Sequence, residues 1–77
     1  MSTTMLDVIL HIDEETTHSE RESLRETFLN KSGVMTADCR DDRPHLMIVG
    51  YDPEDVSSNE LLAMAKVRGY HAELIAM

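Results

Sequence analysis

At 77 residues the chain has material for one domain, and its 42% hydrophobic and 29% charged content is that of a folded globular protein, which excludes wholesale disorder and a second core. Fifteen carboxylates against seven lysines and arginines give a formal net charge of −8, whose field repels phosphate backbones and anionic lipid and argues against nucleic acid as a partner. A single cysteine, Cys39, excludes an internal disulfide framework and fits a reducing compartment.

Aromatic residues are scarce and tryptophan is absent, so Leu, Ile, Val and the six methionines must fill the interior, a role that suits the adaptable methionine side chain. The opening stretch MSTTMLDV has neither the basic region nor the apolar run of a leader peptide, and nothing approaches the ~18 apolar residues of a membrane span. A cytoplasmic location without membrane insertion is expected.

In chain order, Asp7 to Asp13 alternates, with Val8, Leu10 and Ile12 on one face and Ile9 and His11 on the other, which predicts a strand with one buried side. Thr17 with Glu20, and Ser19 with Glu22, have capping-box spacing, and Leu24 and Phe28 follow at helical spacing, predicting a helix over 17–30 that stops at Gly33. VMTADC reads as a short strand, RDDRP as a polar connection and HLMIVGY as a second strong strand. After DPEDVSS, Ser57 and Glu60 repeat the capping-box spacing, NELLAMAKVR makes a helix ending at Gly69, and YHAELIA makes a last strand.

The βαββαβ order predicts an α+β fold: a ferredoxin-like sandwich whose four-stranded antiparallel sheet carries both helices on one face, with strands one and three central. The expected unit is a single domain over 1–77 with its core at about 6–76. This topology hosts many functions and names none of them.

SGV after the first helix, then YDPEDVS, ELL and GYHAEL, resemble the heavy-metal-associated domains of copper chaperones and metal-transporting ATPases, over about Asp7 to Leu74. The resemblance implies a part in metal-cation handling or transport. In that family a Met-Thr-Cys-x-x-Cys loop between the first strand and helix holds a soft metal through two thiolates. Counting back from Gly33, that loop falls on Glu15 to Glu20, with Thr17 and Glu20 at the two cysteine positions. Copper(I) prefers soft sulfur ligands, so the usual paired-thiolate site is missing. By alternation and by the resemblance, Cys39 takes an inward strand position, where cysteine acts as a small apolar side chain.

The acids of DEETTHSE suit the positive end of a helix dipole, which accounts for Glu20 and Glu22 better than for the crowded Asp13, Glu14 and Glu15. In the predicted topology the first loop, the RDDRP hairpin and the Gly69 turn share one end of the sheet. That end would gather His18, His45 and His71 with Glu14, Glu15, Glu20, Asp41 and Asp42. Imidazole with carboxylate suits zinc or nickel, which makes His18 and Glu20, followed by His45 and His71, the candidate metal ligands.

The sheet face turned away from the helices should carry Ile9 and His11 beside Leu46 and Ile48, with Ile75 nearby. Central-strand aliphatics facing water form the kind of patch that receives a protein partner or a second copy of the chain. Catalysis is not expected. The chain has no glycine-rich phosphate loop, no Gly-x-Ser-x-Gly and no nucleophile with an identifiable base, and acids stand where an acylphosphatase-like anion cradle would need basic groups. The sequence therefore predicts a small binding or adaptor module of a metal-handling system, with a His/carboxylate metal carrier or sensor as the alternative.

Overall fold

In the computed structural model, which describes residues 5–76, the elements are β1 (Leu6–Ile12), α1 (His18–Leu29), β2 (Val34–Arg40), β3 (Arg43–Tyr51), α2 (Ser58–Val67) and β4 (Ala72–Ala76). Residues 1–4 and 77, which belong to the predicted 1–77 domain and, for 1–4, to the stretch read for leader features, lie outside the described range. The sheet order is β2-β3-β1-β4 with every pair antiparallel, so strands one and three are central as predicted.

Alternation along β1 buries Val8, Leu10 and Ile12, and β3 adds Met47, Val49 and Tyr51 to the same face. The helices close over it with Leu24 and Phe28 from α1 and Leu61 and Ala65 from α2. Fully burying a side chain the size of Leu or Phe contributes about 1.5–3 kcal/mol, so this one layer supplies most of the drive to fold. Arg68 reaches across the helix pair, its guanidinium donating to Thr27 Oγ1 at 2.6 Å and Ser23 Oγ at 2.9 Å.

Both helices begin where the capping spacing places them. Thr17 and Ser57 accept from the backbone N–H of Glu20 and Glu60, and each glutamate carboxylate accepts in return from the N–H of its cap residue. Of the two overlapping boxes in the first helix, Thr17–Glu20 is the one formed. Gly33 and Gly69 both take φ of +94°, ending the two helical segments in a conformation that side chains disfavour.

Two boundaries differ from the sequence reading by more than one residue. β3 begins at Arg43, so the polar connection shrinks to the Asp41–Asp42 turn, because Arg40 and Arg43 pair across the hairpin. Pro44 falls in the irregular stretch between the Arg40–Arg43 and Cys39–Met47 pairs, where a residue without an N–H is tolerated. β4 begins at Ala72, since Tyr70 N–H still donates to Ala65 carbonyl oxygen and belongs to the helix exit.

Candidate functional site

The entrance of α1 is a closed hydrogen-bonded structure. Thr17 Oγ1 accepts from Glu20 N–H at 3.1 Å and the Glu20 carboxylate accepts from Thr17 N–H at 2.8 Å. These are the two positions that the resemblance aligns with metal-binding thiolates. A hydroxyl and a carboxylate engaged in capping stand at these positions, so the paired-cysteine loop is missing.

Beneath them lies a buried cation. Arg21 is only 7% exposed, donating to the Thr16 carbonyl and Oγ1 and, at 2.7 Å, to Asp41 Oδ1. The same Asp41 oxygen lies 2.9 Å from His18 Nδ1. The Asp41 carboxylate thus ties the β2–β3 hairpin to α1, and Arg21 ties both to the loop at Thr16. Sequence reading missed Arg21, although its spacing to Leu24 and Phe28 puts it on the buried stripe of α1.

The expected group of histidines and acids resolves into separate partnerships. His18 pairs with Asp41. His71 pairs with Glu14, whose carboxylate also accepts from the His71 backbone N–H. His45 Nδ1 lies 2.7 Å from the Ile12 carbonyl oxygen, and Asp42 pairs with Arg40 at 3.2 Å. Hydrogen bonding, reinforced by charge attraction, raises the pKa of His18 through Asp41 and of His71 through Glu14, and lowers those of the two carboxylates. All three imidazoles, those of His18, His45 and His71, use Nδ1 toward a protein oxygen, which leaves Nε2 for another partner.

The open face of the sheet is laid out by the β1–β3 register, which sets Ile9 opposite Ile48 and His11 opposite Leu46. Ile48 is 39% exposed and Ile75 is 51% exposed, while Ile9 and Leu46 are half-buried. Ile9, Leu46 and Ile48 floor a shallow groove of about 220 Å³ rimmed by Asp38, Arg40 and Arg43.

His11 stacks on His45 with ring centroids 5.7 Å apart and planes inclined by 19°. His11, Asp13 and Glu73 place one ligating atom each within 4.8 Å of one another. Among the described residues this is the one such group of three or more, and it contains none of His18, Glu20, His45 and His71. The signal that could have found it was the pairing of strands one and four. Cys39 packs against the core with its Sγ 3.6 Å from the Glu22 carboxylate, and burial, followed by that carboxylate, pushes its thiol pKa up.

No protein-family model matches the sequence, and neither does a curated protein. Solved structures do match in fold. Oxidized MerP from Ralstonia metallidurans CH34 superposes with a TM-score of 0.81 at 17% identity, over 92% of this chain and 97% of that one. The N-terminal domain of a potential copper-translocating P-type ATPase from Bacillus subtilis, in its Cu(I)-loaded state, gives 0.84 at 18% identity over 95% and 90%. The yeast copper transporter domain Ccc2a gives 0.81 at 20% identity over 91% and 94%. The chain therefore has the fold of the heavy-metal-associated domains.

Proposed function

We propose that this chain is a small, cytoplasmic, non-catalytic binding or adaptor module of a metal-cation handling system, lacking the paired-thiolate copper site and meeting a protein partner or a second copy of itself through the open sheet face. The observation that carries this reading is the α1 entrance. In a fold shared with copper-binding and copper-transporting domains, Thr17 and Glu20 are bound to one another at the positions that the resemblance aligns with the thiolates. Both side chains are already engaged in the helix cap, and neither offers sulfur to a soft cation. The exposed aliphatics of the central strands supply the contact surface.

Competition with a chromophoric copper(I) chelator tests this directly. The chain should draw no more copper(I) from the chelator than its Cys39→Ser variant does. The double substitution Thr17→Cys with Glu20→Cys should gain one tightly held copper(I) ion per chain. Stoichiometric copper(I) binding by the unaltered chain would overturn the reading.

A second reading is favoured by the histidine geometry. Metal-bound imidazoles commonly donate their other ring N–H to a carboxylate or carbonyl, the pattern of His18, His71 and His45. On this reading the chain is a carrier or sensor for zinc or nickel at the loop end, with His18 and Glu20 as the main ligands and His45 and His71 assisting. Zinc-induced shifts of the His18 and Glu20 resonances would support it, and their absence would remove it.

A further inference from the structure

The ladder between β1 and β4 brings three ligating side chains together away from the α1 entrance. His11 points to the open face of the sheet, and Glu73 is its direct cross-strand partner. Asp13 lies two residues beyond His11, which returns it to the same face, and its N–H holds the strand end by donating to the His71 carbonyl at 2.8 Å.

The donors have the spacing of a metal site. His11 Nδ1 and Asp13 Oδ1 are 3.2 Å apart, and the three residues each offer one ligating atom within 4.8 Å of the others. A tetrahedral zinc ion bound at about 2.0–2.2 Å separates neighbouring nitrogen and oxygen ligands by about 3.3–3.6 Å. The Glu73 side chain is exposed and free to close the remaining distance.

His11 Nδ1 is buried yet makes no hydrogen bond, because Asp13 approaches within ion-pair range without lying on the hydrogen-bonding direction. A buried ring nitrogen without a partner is costly, and a cation between it and the carboxylate would satisfy it. The ring is already held in place by its stack on His45, which Nδ1 anchors to the Ile12 carbonyl. Among the described residues no lysine or arginine nitrogen lies within 4 Å of either carboxylate, although Lys66 borders the same hollow as Asp13 and Glu73. Two carboxylates and one imidazole on a strongly acidic molecule complement a divalent charge.

We propose that His11, Asp13 and Glu73 bind a divalent cation of the zinc class on the open face, at the junction of β1 and β4. The ligand set is too hard for copper(I) and suits zinc. Three protein ligands leave one coordination position for water or for a side chain from outside. This site stands independently of both readings of the loop end.

The test is a titration of the untagged chain with zinc, followed in amide and histidine-ring NMR spectra. Saturable one-to-one shifts are expected at the His11 ring and at residues 11–13 and 72–74. Glu73→Gln, at an exposed side chain, and Asp13→Asn should keep the amide spectrum of the folded protein and weaken zinc binding by about tenfold or more. Glu26→Gln, an equal loss of charge on α1, should leave the affinity unchanged. The proposal is overturned if zinc produces no saturable shift at His11, if Glu26→Gln weakens binding as much as Glu73→Gln, or if Glu73→Gln binds as tightly as the unaltered chain. Each of these outcomes leaves the copper(I) experiment untouched, so the two ideas fail separately.

Discussion

At the scale of single residues, the α1 entrance is governed by Asp41. Its carboxylate accepts from the Arg21 guanidinium and pairs with the His18 imidazole, as Glu14 pairs with His71 at the neighbouring turn. The raised pKa values of His18 and His71 mean that each pair stabilises the fold below the ordinary histidine value of 6.5, and that this contribution is lost as pH rises through the raised value. The lowered values of Asp41 and Glu14 act from the other side. Their contribution is present above the ordinary 3.8 and 4.5 and is lost as pH falls through the lowered values. The pairs therefore contribute most between pH 4.5 and 6.5, as bounded by those ordinary values. In a ring-detected NMR titration His18 and His71 should both titrate above 6.5, with Asp41→Asn lowering the value of His18 alone and Glu14→Gln that of His71 alone. An unshifted His18 in the unaltered chain would show that the hairpin carboxylate does not hold it.

Among the elements, the helix exits show how one value of φ carries different costs. Gly33 and Gly69 share φ of +94°, but a Cβ at Gly33 would meet Asp55 Cβ at 2.7 Å and Val56 Cγ1 at 3.0 Å, whereas one at Gly69 would meet nothing within 4 Å. Gly69→Ala should therefore cost about 1–2 kcal/mol, the left-handed penalty alone. Gly33→Ala adds a clash with the segment leading into α2, bringing its cost to about 2–4 kcal/mol. Thermal denaturation separates the two, since about 1 kcal/mol moves the midpoint of a domain this size by about 4–8 °C. Equal midpoints for the two variants would mean that the Asp55–Val56 segment yields freely.

For the whole molecule, the helices cover one side of the sheet and leave Ile9, Leu46, Ile48 and Ile75 on the other. Ile48 sits on a central strand and is 39% exposed, so Ile48→Asp should cost only about 1 kcal/mol of stability while placing a charge in the middle of the apolar patch. If the patch joins two copies, sedimentation velocity will give a mass that rises with concentration for the unaltered chain and stays monomeric for Ile48→Asp. A monomeric mass for both at every concentration would remove self-association and leave a different protein as the occupant of the face.

Much of this architecture could be read from local chemistry. The period-2 burial of Val8, Leu10 and Ile12, the Thr17–Glu20 and Ser57–Glu60 boxes and the two glycine exits are interactions within a few residues, which the order of side chains dictates before any tertiary contact forms. The absence of cysteine at Thr17 and Glu20, the positions that the resemblance aligns with the family's thiolates, was equally legible, because it needs only residue type. The pairing of Arg21 with Asp41 was not, since the hairpin had to deliver that carboxylate to a guanidinium on another element. Neither was the division of the histidines into pairs with Asp41, Glu14 and the Ile12 carbonyl, nor the meeting of His11 with Glu73 across β1 and β4. Those arrangements depend on register and on the distance between chain segments remote in sequence. A one-residue slip of a strand would turn every side chain to the opposite face, and only the packed sheet decides which side chains meet.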